Sequence, residues 1–231
     1  MRLAFALFCL LNVASAQNSP PPRGTQIRIT VERHDGRAWK AVNPATVFDQ
    51  GDHVRFQVST TFGGYLYVTN QGTSGSSELL FPRSDTGSEN RIVAAKDYQV
   101  PAIGGGFKIT GPPGQDTIYW LVSPVDLGRQ YRPLPPPPEP GLLPPSLPSS
   151  LQPRCDDLIF KARGECIDHS AGMKRVEPEE KLPTNMQGIV GATPRELVLI
   201  QNHDNQKESA VISSPTPLTG PVVYELRLAH R

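Results

Sequence analysis

Five histidines, at positions 34, 53, 169, 203 and 230, are the first groups to test for chemistry. They show no His-x-His, no HExxH and no pairing at helical spacing, the patterns that gather imidazoles around a metal. His53 is the most site-like, because Asp49 and Asp52 stand beside it. Carboxylates next to an imidazole raise its pKa or help to hold a metal. A surface or turn role remains the default for all five. Asp156-Asp157 could chelate calcium, yet two adjacent carboxylates fall well short of the roughly six to eight oxygens that calcium takes. No metal and no cofactor is expected.

Nucleophiles fare no better. Gly72-Thr73-Ser74-Gly75 is the nearest approach to a nucleophile elbow, but it misses the G-x-S-x-G spacing and stands where a hairpin turn is expected. Gly104-Gly105-Gly106 and Gly111-Pro112-Pro113-Gly114 resemble phosphate-cradling loops, and no helical pattern follows either one to supply an anion-binding N-terminus. Turn chemistry explains all three. Cys155 and Cys166 are the only cysteines beyond position 9. Their spacing is not C-x-x-C, and no His/Cys set nearby completes a zinc site, so a structural disulfide is favoured over a redox or metal pair.

Tyr65 and Tyr67 alternate with Leu66 and Val68 along one expected strand. If the aliphatic pair faces the core, the tyrosines form an exposed aromatic pair suited to a glycan or a peptide. If the tyrosines face the core, they are packing, and the scarcity of other large side chains favours that arrangement.

The elements that must position these groups are strands. From Thr25 to Ser123 short runs with apolar residues at every second position are punctuated by turn clusters, which is strand rather than helix periodicity. Ile27, Ile29 and Val31 lead through Asp35-Gly36 to Trp39 and Val42, a hairpin signal. Val54, Phe56 and Val58 lead through Gly63-Gly64 to Tyr65–Val68, which predicts two antiparallel neighbours. Further strands are expected at 78–81, 97–100, 107–110 and 117–122. About eight short strands predict an all-β, antiparallel sandwich or barrel, with a sandwich preferred.

Arg2, the apolar run Leu3 to Val13 and Ala14-Ser15-Ala16 read as a secretory signal peptide over residues 1–16, cleaved between Ala16 and Gln17. Lipidation at Cys9 is the weaker alternative, because Ala6-Leu7-Phe8 do not form a lipoprotein signal. No later stretch reaches the roughly 18 apolar residues of a spanning helix. The expected protein is therefore exported, periplasmic or secreted, without stable membrane insertion. Loss of Arg2 leaves 22 basic against 22 acidic residues, a balance that gives no electrostatic reason to expect nucleic acid or an anionic membrane as partner.

The β-sandwich is expected over 17–131, followed at 132–153 by a linker in which ten of 22 residues are proline, a composition that forbids helix and sheet. It reads as a polyproline spacer of at most ~70 Å. The C-terminal extension, 154–231, holds the cysteine loop with its apolar Leu158-Ile159-Phe160. Three strands are expected in it, at 196–200, 210–212 and 222–228, with the turn His203-Asp204-Asn205 between the first two. They are too short to bury a core alone and are expected to add to the first sheet system, with 222–228 beside 27–31.

Gly51-Asp52-His53-Val54-Arg55-Phe56, Gly64-Tyr65-Leu66-Tyr67-Val68, Leu79-Leu80-Phe81-Pro82, Asn90-Arg91-Ile92, Val100-Pro101 and Gly111-Pro112-Pro113-Gly114 follow one another in an order that resembles the bacterial family called domain of unknown function 4384. The resemblance covers about Thr46 to Ser123. More loosely, the tail through Tyr224-Glu225-Leu226-Arg227-Leu228 is similar to the extension of small exported members. No activity is established for the family. Its company with caspase-like peptidases or protein kinases in larger chains implies an accessory or recognition role, and nothing here matches a kinase glycine-rich loop or a peptidase Cys/His pair. The expected function is a non-catalytic module that binds a protein or glycan of the cell envelope. A purely structural envelope component and a hydrolase with an irregular site are the rival readings.

Overall fold

The computed structural model describes residues 24–73, 75–128, 152–176, 182–183, 186, 198–204, 207–214 and 217–231. The leader expected at 1–16 lies outside the described residues, as does the linker expected at 132–153 apart from its last two positions. The strands in chain order are β1 (Thr25–His34), β2 (Trp39–Val42), β3 (Val47–Phe48), β4 (His53–Thr60), β5 (Gly64–Gln71), β6 (Ser77–Phe81), β7 (Arg91–Ile92), β8 (Asp97–Val100), β9 (Phe107–Lys108) and β10 (Gly114–Ser123). After them come one short helix, α1 (Leu158–Ala162), and β11 (Gly172–Arg175), β12 (Val198–Asp204), β13 (Lys207–Ser214) and β14 (Val222–His230). The protein is an all-β sandwich of two sheets.

The first sheet runs β12-β13-β1-β4-β8, with β2 on β1 and β9 on β4. The second runs β11-β14-β10-β5-β6, with β3 on β14 and β7 on β5. Every pairing is antiparallel except β3 with β14. Alternation explains the first sheet: Ile27, Ile29 and Val31 of β1 and Val54, Phe56 and Val58 of β4 are buried, while the residues between them are more accessible. These side chains meet Leu66 and Val68 of β5, Ile118, Trp120 and Val122 of β10, and Val222, Tyr224, Leu226 and Leu228 of β14 in one core. Phe56 and Trp120 span it edge to face, with ring centroids 5.0 Å apart.

Two expected pairings are corrected. The strands at Val54–Val58 and Tyr65–Val68 are not neighbours, because β4 belongs to the first sheet and β5 to the second. The chain crosses between the layers at Thr61–Gly63, so that each strand turns an apolar face to the same core from opposite sides. Gly64 begins β5 against the backbone of β10, where a β-carbon would lie 2.6 Å from the Ser123 carbonyl oxygen. Only glycine permits so close an approach.

The last strand adds to the body of the protein, as expected, but beside β10 over nine register positions rather than beside β1. Its apolar residues are not confined to one parity. Val222, Val223 and Tyr224 are consecutive and all buried, as are Tyr119 and Leu121 between the core residues of β10. Such runs require a sheet covered on both faces. The edge of β1 is taken by β13, paired at Thr25–Ile29 with Ala210–Ser214, and by β2. The hairpin expected at Asp35-Gly36 is present. Ten strands rather than about eight lie between Thr25 and Ser123, the additions being β3 and β7, each of two residues and too short to show a period. β12 begins at Val198, and the 210–212 strand is the middle of β13.

Candidate functional site

The tyrosines do not form an exposed aromatic pair. Tyr67 is 2% exposed and Tyr65 half-buried, while Leu66 and Val68 on the opposite face are buried as well. Tyr67, Tyr119, Leu121 and Val223 make a second apolar cluster on the outer face of the second sheet, covered by Leu127, Val176 and Met186. The choice between an inward and an outward tyrosine face fails because both faces are inside.

Tyr67 is also a hydrogen-bonding post. Its hydroxyl donates to Asp126 Oδ1 at 2.6 Å and accepts from the Leu127 N–H at 2.8 Å, holding the turn that covers the cluster. Burial, and then the Asp126 carboxylate, push its phenol up, and burial alone pushes up that of Tyr224. In the unfolded chain both ionise near pH 10. Their stabilising contribution is therefore present in full below about pH 10 and is lost as pH rises above it. Tyr67→Phe is expected to cost about 1–3 kcal/mol at neutral pH, because the buried Leu127 N–H loses its acceptor. The same variant should show a shallower decline above pH 10 in denaturant titrations at stepped pH.

His53 is exposed at the start of β4, and its two carboxylates serve arginines instead. Asp49 pairs with Arg231 at 2.8 Å and Asp52 with Arg33 at 3.6 Å. Among the described residues no group of three or more His, Cys, Asp or Glu is arranged to hold a metal. Gly72 donates its N–H to the Ser76 carbonyl and Gly75 to the Gly72 carbonyl, which places both glycines in the turn between β5 and β6. Buried His230 and half-buried Asp116 form a pair that sequence spacing did not reveal, with Oδ1 and Nε2 3.5 Å apart. Thr73 donates its N–H and hydroxyl to that same Asp116 oxygen. A hydroxyl bonded to the acid rather than to the imidazole has no base to take its proton, so the trio lacks the order of a nucleophilic triad.

On the first sheet, Trp39 carries the Arg55 guanidinium 4.4 Å from its ring centre and meets His34 edge-on. Arg55 Nε donates to Glu32 at 2.6 Å. These groups answer one another across β1, β2 and β4 as a closed cross-strand stack.

The remaining feature turns outward. Cys155 and Cys166 are bridged, with their α-carbons 4.7 Å apart, closing a loop that contains α1. The Asp157 carboxylate caps the helix, accepting from the Ile159 and Phe160 N–H groups. Chiefly the Phe160 N–H, with the second cap bond and His169, holds that carboxyl below its usual range. The helix ends in a double-bonded C-cap: Gly164 has φ +79, its N–H reaches the Lys161 carbonyl, and the Glu165 N–H reaches that of Phe160.

The loop is seated on the sandwich by backbone bonds from Val47 to Cys166 and from Asp168 to Ala45, and by an apolar patch of Ala45, Val47, Ile167, Ala171 and Ala229. Phe160 and Cys166 pack against that patch. The buried Asp168 side chain accepts from the Arg154 N–H and from Ser170. Leu158 and Ile159, by contrast, are 79% and 67% exposed, the two most exposed large apolar side chains among the described residues. The short helix thus carries its two aliphatic residues on the solvent side, where they add nothing to the core.

Because the bridge closes only a short loop, it restricts the unfolded chain by roughly 3 kcal/mol in the chain-entropy account. Reduction is expected to speed tryptic cleavage after Lys161 and Arg163 while the rest of the sandwich resists. Mass spectrometry of timed digests would show it, and equal cleavage rates in oxidised and reduced protein would refute it.

β3 to β10, with the turn that carries Asp126, form one continuous stretch of chain within the sandwich. Residues 47–126 match the family described as Domain of unknown function (DUF4384). No curated protein and no solved structure matches the chain. The DUF4384 region thus contains the Tyr67–Asp126 post and the share of the core supplied by β4, β5 and β10, whereas β1, β2, α1 and β11 to β14 lie outside it. The cysteine loop and its exposed apolar pair are additions to the family region. Sequence inspection reached the loop as a bridged apolar segment. Its outward orientation was beyond reach, although the Asp157 cap before Leu-Ile-Phe-Lys-Ala was a helix signal.

Proposed function

We propose that this protein is a non-catalytic binding module of the cell envelope, exported after removal of residues 1–16, and that it makes contact through the disulfide-braced helix α1. The observation that carries the proposal is the exposure of Leu158 and Ile159 on a helix that is capped at both ends, bridged beneath and anchored by Phe160. A rigid apolar tip loses little entropy on binding. A disulfide fits an oxidising compartment, and among the described residues no helix is long and apolar enough to cross a membrane. The rest of the sandwich acts as the platform that holds the tip.

The experiment is sedimentation of purified protein with washed envelope fragments, with the Leu158→Ser, Ile159→Ser double variant beside it. Both positions are exposed, so the variant should melt like the parent while losing most of its envelope binding. Equal binding by the two proteins would sink the proposal.

A further inference from the structure

We propose that α1 docks the protein on an anionic lipid surface, lying in the headgroup layer with its aliphatic side down. This rests on the contact role proposed above and names the partner. At roughly 100° per residue along a helix, Leu158, Ala162 and Ile159 fall on one arc. Lys161 lies on one flank of that arc and Arg163, which follows the helix, on the other. Phe160 lies opposite, where it packs against the apolar patch beneath the loop while the Arg163 guanidinium stands 6.0 Å from its ring centre. The result is an aliphatic stripe bordered on both sides by cations, the arrangement that lets a helix sit in a lipid interface with its basic side chains reaching back to the phosphates.

The charges of the loop are distributed to match. Asp156 and Asp157 are turned to His169: the imidazole Nε2 is 3.2 Å from Asp157 and 3.9 Å from Asp156, and the His169 N–H donates to Asp156. Lys161 and Arg163 are both exposed, and neither has a carboxylate in ion-pair reach among the described residues. Glu165, beyond the turn at Gly164, is the one exposed carboxylate left against them. A second copy of the chain fits less well. Two such tips face to face would oppose Lys161 and Arg163 with their own kind, and two aliphatic side chains fall far below the ~800 Å² per partner of a stable dimer. A headgroup layer needs penetration of only about 5–10 Å.

The test is co-sedimentation of the purified, oxidised protein with vesicles of phosphatidylglycerol and phosphatidylcholine, and with vesicles of phosphatidylcholine alone. Binding is expected to the anionic vesicles, to weaken in high salt, and to fall by about ten-fold or more in the Leu158→Ser, Ile159→Ser variant. The Lys161→Gln, Arg163→Gln variant should lose roughly five-fold per cation removed, and with it the preference for phosphatidylglycerol. Thermal melts of all three proteins establish that each is folded. No binding of the parent to anionic vesicles overturns the inference, as does binding that neither variant reduces. If envelope fragments still retain the parent through Leu158 and Ile159 while vesicles do not, the partner is a protein or glycan and only the lipid assignment falls. If neither surface retains it, the contact role falls too.

Discussion

A chain ending at Arg132 is expected to lose its cooperative unfolding transition. Truncation there removes β11 to β14, and with β14 a strand enclosed between β10 and β11 in the second sheet. Val222, Tyr224, Leu226 and Leu228 leave the core between the sheets, and Val223 leaves the outer cluster. At about 1.5–3 kcal/mol for each large aliphatic side chain, the loss is on the order of 10 kcal/mol. That is as large as the entire stability of a typical domain, about 5–15 kcal/mol. The first sheet also loses β13, which exposes the backbone of β1 along Thr25–Ile29. Urea unfolding followed by tryptophan fluorescence and circular dichroism would read the effect. A truncated chain with the same midpoint as the full one would show that β1 to β10 fold without the C-terminal strands.

Replacing Trp120 by alanine should cost about 3–5 kcal/mol, the range for emptying a core site of this size. The ring is fully buried, stands edge to face with Phe56 of the other sheet, and is the largest fully buried side chain among the described residues. Its Nε1 has no hydrogen-bond partner among the described residues. A buried donor without a partner carries a desolvation penalty that phenylalanine does not. Trp120→Phe is therefore expected to retain far more stability than Trp120→Ala, beyond what the difference in volume alone allows. Denaturant midpoints of the two variants at one pH decide this, and equal losses would refute the role given to the indole N–H.

Much of this architecture was legible in the chain. Alternation of Ile27, Ile29 and Val31 with polar neighbours marks a strand with one buried face, because side chains on a strand point to opposite sides at every step. Asp35-Gly36 marks a hairpin for an equally local reason, the positive φ that Gly36 adopts. Two cysteines eleven positions apart announced their bridge, and three apolar stretches in the tail announced strands that needed a sheet from elsewhere. Strand existence and turn position are set by a few neighbouring residues, so they can be read one segment at a time.

Neighbour choice is different, because it depends on what covers each face. β5 was expected beside β4, and β14 beside β1, on the basis of chain proximity and open edges. Tertiary structure decided otherwise, since Tyr67, Tyr119, Leu121 and Val223 needed cover on the far side of the second sheet as well. The same reason governs the candidate site. Leu158 and Ile159 are as apolar as Phe160, so the sequence alone does not distinguish which of the three is covered. Which one meets the patch of Ala45, Ile167 and Ala229 depends on the seating of a helix one and a half turns long, fixed by a bridge and by bonds from Val47 and Asp168. Local alternation and turn residues determined that the chain is made of strands; the distribution of cover over their faces, a sum of long-range contacts, determined their order and which apolar residues remained outside.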